Sequence, residues 1–459
     1  MKRLTLCLLS LAIGSPLLFA QKIEVPPYKK ETLENGLTVL LMEYHKLPLI
    51  EVRLTVKGGA SYDPKGSEGL ASLTAGLLRK GTATKSATQI SDAIDFIGGS
   101  LNASAGADYF TITSEVLKKD LEKGFELFAD VVLHPAFAQD ELERERSQRI
   151  ATIAQSKENP SSIASICFNK TVYGAHPYGN STIGTSESLK KITRADVQTF
   201  YKELFLPNAS ILTIVGDFDT GPMLDRIKNA FGNWERGTPR SMAFEKPAMH
   251  KGRKMVIVNK SDVTQTQIRI GNIGVNRKNP DFFAITVANS ILGNGFTSRL
   301  TEEIRVKRSL TYGVSSQFPA NLETGMYLIS TFTKNQTTRE VIDIALAEVK
   351  KFRDEGATAE ELSKAQNYLA GGFARSLQAP EALAAQISDM EFFNQASDYL
   401  TTYIQKLKAV TLDDVKRVAQ KYFLYDDLVM LVVTPAKDVQ PKLESLGKVE
   451  VMDFQNVIN

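Results

Sequence analysis

The chain has 459 residues with 55 Lys or Arg and 52 Asp or Glu, so its net charge is +3. This length predicts more than one domain, and 43% hydrophobic with 23% charged residues is typical of a folded globular chain. The weak charge excludes the concentrated basic surface of a nucleic-acid-binding protein, and two cysteines exclude a disulfide framework or an iron–sulfur cluster, whereas four histidines leave room for one metal site.

The first twenty residues have the pattern of a secretory signal peptide. Lys2 and Arg3 precede an uncharged, mostly apolar run that ends in the small residue Ala20. We therefore expect residues 1–20 to be removed on export and the chain to be periplasmic or secreted. A retained membrane anchor is the alternative, which Pro16 and the shortness of the run disfavour. No later segment is long and apolar enough to span a membrane.

The remaining chain mixes predicted strands and amphipathic helices. Apolar and polar residues alternate over residues 50–56, which predicts a half-buried strand because successive side chains point to opposite faces. Apolar residues at helical spacing predict a helix over residues 121–132. Long helices beside such strands predict an α+β fold with one covered face per sheet. Further strands are predicted at Met255–Val258, Gln267–Ile270 and Tyr327–Thr331.

An internal repeat divides the chain. Residues 189–215 and 407–433 align without a gap and share eight of 27 positions, including Thr193 with Thr411 and Asp196 with Asp414. Each copy reads as an amphipathic helix followed by an apolar strand. Chance similarity of two helix–strand units is the alternative, but the gapless alignment favours a duplication.

The repeat predicts two homologous domains of similar length. We place the first at residues 21–235 and the second at residues 254–459. The segment between them, residues 236–253, contains Pro239 and Pro247 among charged residues, a composition typical of a linker.

Five stretches along the chain form a recognisable set. They are GLASLTAGLLRKGT at Gly69–Thr82, GGSLNA at Gly98–Ala103, Glu141–Arg146 followed by Glu158–Pro160, PYGNSTIG at Pro177–Gly184, and LGNGFTSRLTEEIRVKRSLTY at Leu292–Tyr312. In this order they resemble the pitrilysin/insulinase family of zinc peptidases, the inverzincins. The resemblance implies two homologous α+β domains, each a mostly antiparallel sheet covered by helices, which together form half of a clamshell.

The metal-binding residues of that family are absent. The family motif H-x-x-E-H places two zinc ligands and a general base on one helix, and a Glu about 75 residues downstream is the third ligand. In this chain the ligand positions are Ser72 and Gly76, the base position is Ala75, and the third ligand falls at Thr152 or a neighbour. The resemblance therefore implies that this chain binds no cofactor.

The four histidines offer no replacement site. His45, His134, His176 and His250 lie far apart, and each is predicted to be a loop or surface residue. Cys167 lies among apolar residues, which predicts a buried thiol that serves packing. An active peptidase whose metal site is assembled from distant residues is the remaining alternative.

The second half retains another family feature. The resemblance implies that a subunit without the zinc motif supplies an Arg and a Tyr, seven positions apart, to a partner's active site. Arg305 and Tyr312 meet that spacing. A phenol O–H stabilises the negative charge that builds on a peptide carbonyl, and a guanidinium holds substrate carbonyls with several donors. The alternative is that Arg305 is one of several solvated charges on a helix and that the Tyr312 ring packs in the core.

The segment GGSLNA has a second possible role. The family binds substrate by adding an extended peptide to a sheet edge, and this resemblance implies contacts from Gly98, Gly99, Asn102 and Ala103. The two glycines would let another backbone approach closely. An ordinary turn between a helix and a strand is the alternative.

Together these features predict a non-catalytic subunit of a secreted or periplasmic heterodimeric zinc peptidase. The expected partners are a paralogous subunit with the H-x-x-E-H motif, which holds the zinc, and an unfolded peptide substrate. The alternative function is a non-hydrolytic peptide-binding or structural subunit of the same fold. Neither hypothesis involves nucleic acid or a membrane span after signal cleavage.

Overall fold

The computed structural model describes residues 25–457, which form two six-stranded sheets packed by helices. One sheet comes from each half of the chain, so the predicted α+β class with two domains is confirmed. The predicted signal peptide lies outside the described residues. Between residues 25 and 457, no helix has both the length and the apolar character needed to cross a bilayer.

The first half forms a sheet with strand order β1-β2-β6-β3-β5-β4, in which only β2 and β6 run parallel. Its strands are β1 (Lys29–Thr32), β2 (Thr38–Glu43), β3 (Leu49–Lys57), β4 (Ser100–Ala105), β5 (Tyr109–Leu117) and β6 (Ser210–Gly216). Its helices are α1 (Leu70–Leu78), α2 (Ala87–Phe96), α3 (Leu121–Leu133), α4 (Gln139–Ser156), α5 (Pro160–Tyr173), α6 (Ser186–Lys191), α7 (Arg194–Leu204) and α8 (Thr220–Phe231).

The second half forms a sheet with strand order β12-β7-β11-β8-β10-β9. Its strands are β7 (Arg253–Asn259), β8 (Gln265–Ile273), β9 (Val314–Gln317), β10 (Met326–Lys334), β11 (Leu428–Thr434) and β12 (Lys448–Asp453). Its α-helices are α9 (Phe282–Leu292), α10 (Thr338–Glu355), α11 (Ala359–Arg375), α12 (Pro380–Phe392), α13 (Tyr399–Lys408), α14 (Leu412–Tyr422), α15 (Ala436–Leu443) and α16 (Phe454–Val457).

The two halves repeat one topology. The path β2-β6-β3-β5-β4 matches β7-β11-β8-β10-β9 in order and in strand direction. Residues 232–252, between α8 and β7, contain no helix or strand and overlap the predicted linker. The domain boundaries themselves stay a prediction.

The identities of the sequence repeat have local structural causes. The Thr193 side chain accepts the Asp196 N–H and the Asp196 carboxylate accepts the Thr193 N–H, a capping box that begins α7. Thr411 and Asp414 begin α14 in the same way. Because these reciprocal bonds satisfy N–H groups that the helix leaves free, each copy starts at an equivalent residue.

One helix from each half packs against the sheet of the other half. Helix α5, from the first half, packs against β8 and β11 and buries Ile163, Cys167 and Phe168 there. Helix α12, from the second half, packs against β3 and β6 and buries Leu383 and Ile387. The predicted burial of Cys167 is confirmed, and burial raises the pKa of its thiol to about 12.

The packing of α12 against β3 corrects the prediction for that strand. The alternating pattern indicated a half-buried strand, yet Glu51 and Thr55 on its polar face are only 2% and 1% exposed. Helix α12 covers that face, and the Ser388 hydroxyl lies 2.7 Å from the Thr55 hydroxyl. Side-chain alternation therefore indicated the orientation of each residue correctly, but a helix from the other half determined the burial.

A second contact between the halves uses the PYG segment. Tyr178 donates a short hydrogen bond from its hydroxyl to the buried Asp108 carboxylate, which follows β4. The other Asp108 oxygen accepts the Leu322 N–H at 2.9 Å, from the loop between β9 and β10. Asp108 thus links the first half to a loop of the second half.

Glu51 is a buried carboxyl group beneath α12. Burial above all, together with the neighbouring Glu115 and Glu381 and against the effect of Arg53, raises its pKa to about 8. One of its carboxyl oxygens has no hydrogen-bond partner among the described residues. The folded chain therefore holds a proton on Glu51 between the ordinary carboxyl pKa and about pH 8.

We expect Glu51→Gln to make the chain more stable than the wild type at pH 8. The folded state binds this proton more tightly than the unfolded state, so wild-type stability falls as pH rises from about 4.5 to about 8. The substitution removes that loss of stability, so the difference in stability between the variant and the wild type should shrink towards pH 5. Thermal unfolding midpoints at pH 5, 6.5 and 8 measure it, with exposed Glu122→Gln as the control. A difference in unfolding midpoint that stays constant from pH 5 to pH 8 would contradict the raised pKa of Glu51.

Candidate functional site

Helix α1 carries the degenerate metal positions and has a well-defined start. Gly69 precedes it with φ 95°, a conformation that favours glycine, and its N–H donates to Asp63 at 2.7 Å. The second Asp63 oxygen accepts the Ala71 N–H at 2.7 Å. Burial raises the pKa of Asp63 to about 7, although both N–H groups act to lower it. From this cap α1 runs between α4, α7 and β4.

An ion pair from α4 fills the position at which the resemblance expects the metal. Arg149 donates a short hydrogen bond from Nη1 to the Ser72 hydroxyl, and its Nη2 lies 2.8 Å from Glu145 Oε1. Both groups use the space left by Gly76, since a Cβ there would lie 2.5 Å from the carboxylate and 2.6 Å from the guanidinium. The absence of a side chain at this position thus admits the ion pair.

These residues do not fit zinc. Zinc requires thiolate, imidazole or carboxylate ligands, whereas Gly76 and Ala75 supply no donor and the Ser72 hydroxyl is bonded to a guanidinium. The positive charge of Arg149 also opposes a divalent cation. Thr152 is not brought to this position, because it is exposed and its hydroxyl donates to the Gln148 carbonyl.

The histidines are dispersed, as predicted. His45 is exposed beside Asp217 and Glu43, whose hydrogen bonds raise its pKa. His134 is exposed at the end of α3, and His250 Nε2 bonds to a backbone carbonyl at 2.8 Å. His176 lies in its predicted loop but is buried, which lowers its pKa. Over residues 25–457, no group of three or more His, Cys, Asp or Glu residues is arranged to hold a metal ion.

The segment GGSLNA forms the turn after α2 and the edge strand β4. Gly98 has φ 61° and its N–H donates to the Asp95 carbonyl, which is a helix-ending conformation. Gly99 lies close to β5, and a Cβ there would be 3.0 Å from the Glu115 carbonyl oxygen. The turn accounts for both glycines, so a peptide-binding role for this segment rests on Asn102 and Ala103, which lie within β4.

The corresponding edge of the second sheet is partly covered. The Ser316 N–H of β9 donates to the Gly293 carbonyl at 2.9 Å, and a Cβ on Gly293 would lie 2.7 Å from that nitrogen. Glycine therefore permits the loop after α9 to approach β9 closely. Of the two edges, β4 offers the more open one to an added strand.

Arg305 lies on a π-helix, Thr301–Val306, rather than on a regular α-helix. The Lys307 N–H donates five residues back, to the Glu302 carbonyl at 2.9 Å. Ser309, just beyond, has φ 54°, a conformation that costs a non-glycine residue roughly 1–3 kcal/mol. Such irregular backbone is concentrated at functional sites, which favours the functional interpretation of this segment.

Tyr312 is 81% exposed, which contradicts the alternative of a ring in the core. Among residues 25–457 its hydroxyl has no hydrogen-bond partner. The Arg305 guanidinium lies 4.7 Å from the centre of the Phe296 ring, which is 66% exposed. No hydrogen bond, ion pair or ring contact between described residues joins Arg305 or Tyr312 to the first half. Tyr312 is thus open to solvent, and Arg305 is partly exposed beside the Phe296 ring.

Sequence reasoning missed Phe296, Arg149 and Glu145. Phe296 follows two glycines in the LGNGF segment, and a large apolar residue in a glycine-rich turn was the available signal. The ion pair was visible only as one of several possible i, i+4 pairs on α4. Its contact with Ser72 joins residues 77 positions apart, which a single sequence does not reveal.

Comparisons with known proteins identify a family. Residues 38–186 match the family described as insulinase (peptidase family M16), and residues 191–369 match the peptidase M16 inactive domain. The chain is 24% identical over 411 residues to the uncharacterized zinc protease YmxG of Bacillus subtilis, covering 89% of this chain and 98% of that protein. It is 24% identical over 412 residues to the non-peptidase homolog YmxG of Helicobacter pylori, covering 89% and 94%.

A solved structure agrees with these matches. The peptidase M16 inactive domain from Pseudomonas fluorescens superposes with a TM-score of 0.83 at 28% identity, covering 89% of this chain and 98% of that chain. The fold and the family resemblance therefore coincide over most of the chain.

We expect Arg149→Met to lower the free energy of unfolding by roughly 3 kcal/mol, because it leaves the Glu145 carboxylate nearly buried without its partner. The double variant Arg149→Met/Glu145→Leu removes that charge as well and should recover most of the loss. Arg144→Met is the matched control, since it breaks an exposed pair with Asp140 on the same helix and should cost less than about 1 kcal/mol. Urea unfolding measures all three, and equal losses in Arg149→Met and Arg144→Met would contradict the role of the pair.

Proposed function

The chain belongs to the M16 (insulinase) family of peptidases, and we propose that within this family it is a non-catalytic subunit that completes the active site of a zinc-bearing partner. One observation carries the proposal. The position at which the resemblance expects the metal holds the Arg149–Glu145 pair, while Tyr312 is exposed and the Arg305 guanidinium lies beside the exposed Phe296 ring. Hydrolysis by this chain alone has no support from its residues.

The roles of the two residues follow from their chemistry. A water molecule that attacks a peptide carbonyl places negative charge on its oxygen, and the Tyr312 O–H is a donor suited to that oxygen. The Arg305 guanidinium presents several N–H donors in a fixed plane and is suited to hold backbone carbonyls of the substrate. Neither group needs a metal of its own, so both can act across a subunit interface.

The partner in this proposal is a paralogous subunit with the H-x-x-E-H motif. That subunit would hold the zinc, and such an ion would supply Lewis-acid chemistry toward the scissile carbonyl and a bound water. The substrate is an unfolded peptide, with the edge of β4, at Asn102 and Ala103, as the binding surface contributed by the first half. The signal pattern in residues 1–20 supports a periplasmic or secreted location for this complex.

A second candidate function is peptide binding without any hydrolysis. It is favoured by the open edge of β4 next to a metal position that holds an ion pair. A peptide added to that edge would be retained rather than cut. This function requires no partner, so binding of peptide by the chain alone, together with inactive mixtures with every H-x-x-E-H paralogue of the source organism, would support it over the first.

We expect activity only when both subunits are present. The partner alone, this chain alone and the mixture are assayed with zinc and a fluorogenic peptide. In the mixture, Tyr312→Phe should lower kcat by roughly 10²–10³, the usual effect of losing one oxyanion donor. Tyr368→Phe is the matched control, because it removes a hydroxyl from another exposed Tyr of the same half and should leave kcat unchanged.

Arg305→Ala should mainly raise KM, because the guanidinium is assigned to the substrate backbone. Arg308→Ala is its control. Arg308 lies three residues away and pairs with Glu303, and its substitution should leave KM and kcat unchanged. Full activity of both Tyr312→Phe and Arg305→Ala would refute these roles. If metal analysis of the purified chain finds one zinc per chain, the alternative of an active peptidase with a different metal site is supported instead.

A further inference from the structure

We propose that the cavity between α1, α2 and β4 receives an acidic side chain of a peptide added to the edge of β4, and that Arg79 selects this side chain. The inference rests on the peptide-binding part of the proposed function and names its substrate class. Nothing in the proposed role of Arg305 and Tyr312 depends on it.

The outward-facing backbone groups of β4 follow from its pairing with β5. The Gly106 N–H donates to the Tyr109 carbonyl at 2.9 Å, so hydrogen-bonded pairs recur at every second residue along the ladder. Leu101, Ala103 and Ala105 therefore direct their N–H and C=O groups to the open side. No second strand pairs with that side within residues 25–457.

Arg79 partly closes one end of this edge. Its Nη1 donates to the Leu101 carbonyl at 2.7 Å and to the Asn102 side-chain oxygen at 3.3 Å. Ala103 and Ala105 remain open to an added strand. A bound peptide would thus run along these two residues and meet the guanidinium as it passes Leu101.

The remaining face of the Arg79 guanidinium is free. With Nη1 engaged, Nε and Nη2 form the side that binds a carboxylate through two parallel hydrogen bonds. Arg79 is exposed, and no carboxylate of the described chain lies within ion-pair distance of it. An acidic side chain from a bound peptide would supply the missing counter-charge.

The cavity has a suitable size and charge. Its volume is about 310 Å³, enough for one side chain, and its polar lining includes Lys80, Ser91 and Ser100 beside Arg79. Asp95 is the single acidic group of this lining, on the α2 wall, where it accepts a hydrogen bond from Ser91 at 3.4 Å. Two cationic groups against one anionic group favour an acidic ligand over a basic one.

The Arg79 side of α1 also carries two of the degenerate metal positions. Ser72, Gly76 and Arg79 lie at i, i+4 and i+7, which places them on one face of the helix. The Arg149 guanidinium lies against Ser72 and Gly76 at the other end of that face. The side of α1 that the family uses for a metal thus presents guanidinium groups at both ends.

The test measures binding of fluorescein-labelled ten-residue peptides to the purified full chain by fluorescence anisotropy. The peptides are identical except for Glu, Gln or Lys at the central position. We expect the Glu peptide to bind about tenfold more tightly than the Gln peptide, because its hydrogen bonds to the guanidinium are charge-assisted. The Lys peptide should bind least tightly.

Arg79→Gln should abolish the preference for Glu over Gln while leaving the affinity for the Gln peptide within about twofold. Arg226→Gln is the control, because Arg226 lies on α8 near β2, at the opposite side of the same sheet. Ala103→Pro removes an N–H that makes no bond to β5, so the strand should persist while all three peptides lose binding. Circular dichroism and thermal unfolding show that each variant is folded.

Three outcomes would overturn the inference. These are the absence of binding by any peptide, an unchanged preference for Glu in Arg79→Gln, and unchanged affinity in Ala103→Pro. If the reconstituted complex responds to Tyr312→Phe but peptide binding fails here, only the acidic-residue site is refuted. If peptide binding succeeds but no partner restores hydrolysis, the acidic-residue site stands and the proposed subunit role fails.

Discussion

The structure depends on the reciprocal covering of two sheets by helices from opposite halves. A central strand such as β3 has two faces, and the helices of its own half cover only one of them. Helices α5 and α12 cover the second faces, so neither sheet buries its full apolar surface without the other half. Because apolar burial is the main favourable term in folding, this exchange makes the two halves interdependent.

Buried polar groups lie where the exchanged helices cross. Glu51 lies beneath α12, and Arg269, only 5% exposed, donates to Ser161 and Ser165 of α5. Arg53 and Arg269 occupy matching strands of the two halves, so the duplication repeats a cation at each crossing. Burial lowers the pKa of Arg269 to about 10, and its guanidinium donates to hydroxyl and carbonyl groups.

The site in the first half preserves a scaffold whose ligands have changed. Helix α1 keeps its cap at Asp63 and its position beside β4, but the space around Gly76 contains an ion pair in place of ligands. The ion pair lies where α4 packs against α1. In the second half, by contrast, Tyr312 is exposed, while the π-helix that carries Arg305 is anchored in the core by the buried Ile304.

The sequence by itself determined the family, the α+β class and the internal repeat, and it predicts the degenerate metal positions and the roles of Arg305 and Tyr312. These features depend on residue type and spacing along the chain, such as the capping residues Thr193 and Thr411. Only the tertiary structure decided that β3 is buried on both faces, that Arg149 lies against Ser72 and Gly76 and that Arg79 borders an open edge. Each of these depends on contacts between residues far apart in sequence, and local periodicity carries no information about such contacts.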